Sequence, residues 1–158
     1  MNRKRNFFLI VLLFGLLQVC VLQNFRLFGV KPDLLLIAVI AASLMFEVEF
    51  ALPAALLCGA FKDLFGVHVF GLNAFLMPLA AFLVIKLSRK IALDDIPVLC
   101  VSTFVIAIAY DLAGRIILGR LCVPAPFWAS ARVIFFGSVY TAAVFPPALR
   151  LIKKTACL

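Results

Sequence analysis

Apolar residues run along this chain in long blocks, and the polar residues gather between them. The blocks fall at 7–22, 34–46, 50–61, 72–85, 96–118 and 133–149. They predict membrane-crossing helices, since a straight span takes about 20 residues with a working range of ~17–25. The second and third blocks are short by that measure. Fusing them into one span over 34–61 buries Glu47 and Glu49 and puts Pro53 in mid-helix. A tight turn between two helices is the better reading, with Pro53 in the first turn of the second. The pattern predicts an all-α bundle of six spans, forming a single integral membrane domain over residues 1–158.

The placement of charge orients this bundle. Arg3-Lys4-Arg5, Lys86/Arg89/Lys90 and Arg150/Lys153/Lys154 flank apolar blocks. With six spans and the N-terminus inside, nine of the 15 Lys and Arg residues lie on the cytoplasmic side and six outside. Five spans give seven inside and eight outside, which is no bias at all. Cytoplasmic excess of Lys and Arg is what sets orientation, so both termini are expected in the cytoplasm. Arg115, Arg120 and Arg132 then lie towards the outside, against the rule. Arg115 follows Asp111 by four residues, a spacing at which the two can pair on one helix face.

Composition agrees with a lipid environment. The chain is 66% hydrophobic with 17 phenylalanines, and its mean hydropathy is +1.23. A soluble domain of 158 residues would have to expose much of that apolar surface in large patches. The basic excess of 15 Lys and Arg over 7 Asp and Glu does not imply nucleic acid. It sits at segment ends, and no basic face with interleaved aromatics exists.

Several kinds of chemistry lack their residues. Cys20, Cys58, Cys100, Cys122 and Cys157 are scattered in apolar settings without a C-x-x-C pair, which suits small buried hydrophobes. His68 is the only histidine, so a His-based metal cluster cannot form. The segments between blocks are short and carry no Walker, Rossmann or nucleophile-elbow motif. No cofactor and no enzymatic activity are expected. At the N-terminus, a basic start, an apolar run and Cys20 resemble an export signal. Val19 is not the small residue that cleavage before Cys20 requires, so 7–22 is expected to be a retained first helix.

The segment from Gly59 to Ala74 is the most informative. It sets Lys62, Asp63 and three glycines between two apolar blocks. An ionisable residue within a membrane is a functional hypothesis by default, because burying its charge costs at least ~2.5 kcal/mol. Ala51, Ala55, Gly59 and Asp63 recur every four residues and form one stripe on a helix, where small residues admit a neighbouring helix closely. Lys62 lies about 100° further round and is expected to snorkel towards a surface. Gly66 and Gly71 bracket a stretch too short to span, which suits a re-entrant or interfacial elbow. Asn73 is placed to cap the next helix. Upstream, Pro32 restricts Lys31, and Asp33 is placed as N-cap of the second helix. Two readings of the glycine-rich segment stand: a helix joint held by a polar lock, and a face for a partner or small ligand.

The motifs Lys31-Pro32-Asp33-Leu34-Leu35-Leu36, Gly59-Ala60-Phe61-Lys62-Asp63-Leu64-Phe65-Gly66 and Phe70-Gly71-Leu72-Asn73-Ala74 resemble the MreD family of bacterial rod-shape-determining membrane proteins. The likeness covers roughly the first 90 residues well, and the remainder in length and helix count. Pro32, Asp33, Gly59, Asp63, Gly66, Gly71 and Leu72 match the family pattern, while Lys62 and His68 depart from it. The resemblance implies a non-enzymatic inner-membrane subunit of the elongation machinery. Its implied partners are MreC, a single-span coiled-coil protein, and through it RodA, a penicillin-binding transpeptidase and the MreB filament. The implied fold is similar to the substrate-binding subunits of energy-coupling-factor transporters.

A scaffold and a small-molecule-binding transporter subunit therefore both remain. A ligand site needs several convergent polar or aromatic groups. The chain has one tryptophan, Trp128, beside Pro124 and Pro126, and two tyrosines, Tyr110 and Tyr140. Trp128 reads as an interfacial anchor. The scaffold is the favoured expectation.

Overall fold

The structure, a computed structural model, describes residues 11, 13–15, 17–18, 33–65, 70–88, 96–120 and 127–156. All secondary structure among them is helical. Helix α1 contributes the described residues Val11, Leu13, Phe14, Gly15, Leu17 and Gln18. It is followed by α2 (Leu34–Met45), α3 (Val48–Phe65), α4 (Leu72–Ser88), α5 (Ile96–Arg120) and α6 (Phe127–Ala156). Two of these, over Pro97–Arg120 and Ala131–Ile152, are long and apolar enough to cross a membrane.

Helix α2 is the core of the bundle. Every residue from Leu35 to Ser43 is buried, and α3, α4 and α6 pack around it. A helix apolar on all sides is buried on all sides, which the unbroken Leu34–Ala42 run provides. The outer helices turn their remaining apolar residues outward: Phe75, Phe82, Val101, Val105, Ile116 and Leu151 are exposed. In water such surfaces would drive aggregation; in a bilayer they meet acyl chains.

Element boundaries depart from the expected ones in two places. The turn after α2 is only Phe46 and Glu47, and α3 runs from Val48 to Phe65 rather than over 50–61. Glu47 starts it, its carbonyl accepting from the Phe50 and Ala51 N–H groups at 3.0 and 2.9 Å. Pro53 therefore stands in the second turn, not the first. Its missing N–H leaves the Glu49 carbonyl without an intrahelical donor close to the helix end, where a proline is more easily tolerated than at mid-span. Helix α6 is also longer than the 133–149 block. It begins at Phe127, so Trp128 belongs to its first turn, and it continues through Pro146 and Pro147.

Candidate functional site

Polar side chains of α1, α3, α4, α5 and α6 converge on the start of α2. The start of α2 supplies Asp33. Its side chain accepts from Leu36 N–H at 3.2 Å, the expected N-cap. Gln18 of α1 adds a second cap: its Oε1 accepts from Leu35 N–H at 3.0 Å, while its Nε2 donates to Asp33 Oδ1 at 3.2 Å. The Asp33 backbone N–H donates to Thr141 Oγ1 of α6 at 3.2 Å. The start of the central helix is thus tied to α1 and α6 before any charge is counted. Its free N–H groups and the positive end of its dipole both favour the carboxylate there.

Lys62, from the end of α3, supplies the countercharge. Its ammonium forms a salt bridge with Asp33 Oδ2, donates to Tyr110 Oη of α5 at 3.2 Å, and lies 4.9 Å from the Tyr110 ring centre. The expectation that Lys62 snorkels to a surface is therefore corrected. A carboxylate and a phenol inside the bundle offer better partners than a distant interface. Tyr110 Oη in turn donates to Asn73 Oδ1 of α4.

Asp63 faces the other way and holds the start of α4. Its Oδ2 accepts from Gly71 N–H and Ala74 N–H at 3.0 and 2.9 Å. Its Oδ1 accepts from Asn73 N–H and Nδ2 at 3.1 and 2.8 Å. The buried carboxylate thereby satisfies donors that a helix start leaves open, which removes most of its burial cost. Asn73 is consequently not the cap that its sequence position suggested. It lies inside the first turn and bridges Asp63 to Tyr110.

Gly59 makes this cap possible. A Cβ there would sit 2.3 Å from the Asn73 carbonyl oxygen and 2.6 Å from Ala74 Cα. Only a residue without one lets α4 approach closely enough for Asp63, one turn on, to reach its first N–H groups. Gly71 serves a different need. Its φ is +95°, and nothing lies within 4 Å of its would-be Cβ, so conformation alone selects glycine. Ala51, Ala55, Gly59 and Asp63 are all buried, so the small-residue stripe lies within the bundle. Pro32, Gly66 and His68 lie outside the described residues, as do residues 66–69 of the elbow expected between Gly66 and Gly71; Phe70 and Gly71 form a turn.

Beside this network is a cavity of about 440 Å³. Gln18, Asp33, Lys62, Asn73, Tyr110 and Thr141 all contribute to its wall, as do Asp111 and Arg115. The expectation that convergent polar groups are missing fails here. Those groups lie up to about 120 residues apart in sequence and meet only because the helices that carry them pack together. Asp111 and Arg115 do not come within salt-bridge distance of each other, although the Arg115 charge acts on Asp111 along the same helix face. Both side chains line the cavity instead. The signal that sequence reading missed was the position of lone polar residues, Gln18, Tyr110 and Thr141, inside apolar blocks.

No curated protein and no solved structure gives a match to this chain. The family model described as rod shape-determining protein MreD does, over residues 1–150. That match takes in every helix built above apart from the end of α6, and with it each polar contact of the bundle end. The chain belongs to the MreD family, the bacterial membrane proteins of rod-shape determination.

Proposed function

We propose that the chain is a non-enzymatic scaffold of the cell-elongation machinery, embedded in the bacterial inner membrane through six spans with both termini cytoplasmic. In this reading it binds an MreC-like single-span coiled-coil protein. Through that partner it supports RodA, a penicillin-binding transpeptidase, the MreB filament and peptidoglycan synthesis. The observation that carries the reading is family membership across residues 1–150. The build of the bundle supports it: a polar network ties six helices together at one end, while apolar residues such as Phe75, Phe82 and Val105 are left exposed. Packing against a partner's helix needs a surface held in one shape, and such a network supplies that.

Affinity purification from native membranes after mild crosslinking tests the proposal. A single-span coiled-coil protein together with wall-synthesis enzymes is the expected recovery. Recovery of a paired ATPase module with a coupling membrane subunit would contradict it. The polar cavity favours that second reading, a substrate-binding subunit of an energy-coupling-factor type transporter, more than the composition did.

A further inference from the structure

The cavity is lined by residues from α1 through α6, so it is more than a groove between two helices. Its position follows from the length of the central helix. Helix α2 has 12 residues and is about 18 Å long, against about 30 Å of hydrocarbon. Where α2 stops at Asp33, α5 and α6 run on beyond it, to Leu118 and Val133, and wall an open space. A small molecule can enter such a space.

The polar groups in this wall are unequally occupied. Asp33 accepts from Gln18, Leu36 and Lys62, and Lys62 is held between Asp33 and Tyr110. That pair is internally neutral, and each member already has partners inside the bundle. Asp111 and Arg115 make no hydrogen bond and no salt bridge among the described residues, and act on each other only through the field between them. They stand one turn apart on α5, a spacing of about 6 Å between side-chain origins. Two opposite charges facing a cavity within a membrane need partners. An anion alone would meet Asp111, and a cation alone would meet Arg115. Among the described residues, the ionisable side chains that line the space are Asp33 and Asp111 against Lys62 and Arg115.

We propose that this cavity binds a small zwitterion, a primary ammonium joined by a few bonds to a carboxylate or phosphate. Arg115 holds the oxyanion and Asp111 the ammonium. A volume of about 440 Å³ falls within the ~300–1,000 Å³ usual for small-molecule sites. The same chemistry is offered by free amino acids and by the phosphoethanolamine headgroup of a lipid. The site goes beyond the scaffold role and does not depend on which partner is recovered.

The test is calorimetric titration of the full chain in phosphatidylglycerol nanodiscs, which contain no ammonium. The probes are phosphoethanolamine and alanine, with acetate and ethylamine as single-charge controls. Saturable binding of at least one zwitterion is expected, at least about tenfold tighter than either control. Arg115→Gln and Asp111→Asn should each weaken it by at least about tenfold, whereas exposed Arg120→Gln should leave it unchanged. Native mass spectrometry of protein from cell membranes separates the sources. Retained phosphatidylethanolamine assigns the lipid headgroup; alanine binding without it assigns a free amino acid. No saturable binding of either zwitterion would overturn the proposal, as would acetate or ethylamine binding equally well, or binding that survives both substitutions. Should a variant fail to fold, the comparison of probes on the unmodified chain decides alone.

Discussion

Lys62 and Asp63 are neighbours in sequence, yet they serve different parts of the bundle. Lys62 reaches α2 and α5, and Asp63 holds the start of α4. The role of Asp33 was legible, because a short carboxylate directly before an apolar block is a local cap signal. The partner of Lys62 was not, since Asp33 and Tyr110 lie 29 and 48 residues away and no local rule links them. Asp63 was recognised as buried and consequential. Its target was missed because Asn73 offered a simpler cap nearer to the helix. These geometries make a graded prediction for thermal unfolding in mild detergent. Asp63→Ala removes four hydrogen bonds to a buried charge and should cost about 3 kcal/mol or more. Gly59→Ala forces a Cβ against the backbone of α4 and should cost about 2–3 kcal/mol. Gly71→Ala has open space and should cost only about 1 kcal/mol, from its positive φ. Equal losses at Gly59 and Gly71 would show that close helix approach is not what Gly59 provides.

Among the elements, α2 and α3 show what periodicity can and cannot supply. The split between them was readable from Glu47, Glu49 and Pro53, because a fused span would bury two unpaired carboxylates. The extent of α3 was not readable, since Leu64 and Phe65 continue the helix past the charged pair that ended the apolar block. The four-residue stripe likewise predicted a close helix contact, but periodicity does not say whether the neighbour belongs to the same chain. Here α4 stands against Gly59, and Ala51 and Ala55 are fully buried. The central position of α2 carries its own consequence. Ala38 and Ala41 are 0% exposed, so a larger side chain has nowhere to go. Ala41→Leu should destabilise by about 1–3 kcal/mol, while Phe82→Leu on the exposed face of α4 should change stability by less than about 0.5 kcal/mol. Unfolding in detergent reads both, and a tolerated Ala41→Leu would mean that α2 is not the core helix.

For the whole molecule, composition made a membrane protein legible, and short motifs made the family legible from its first half. The meeting of the helices in one polar network was not, because Gln18, Tyr110 and Thr141 are lone polar residues inside apolar blocks, and no local rule links them to Asp33, Lys62 and Asn73. That network is what gives the bundle one fixed end, and its central contact joins Lys62 to Asp33. A double-mutant cycle tests it most directly, comparing Asp33→Asn, Lys62→Met and the combined variant by reversible unfolding in mild detergent. If the two side chains support each other, each single change is destabilising, and the double variant loses at least about 1 kcal/mol less than the sum of the two. Additive losses, within about 0.3 kcal/mol, would mean the charges are held separately and the clasp joining the six helices does not exist.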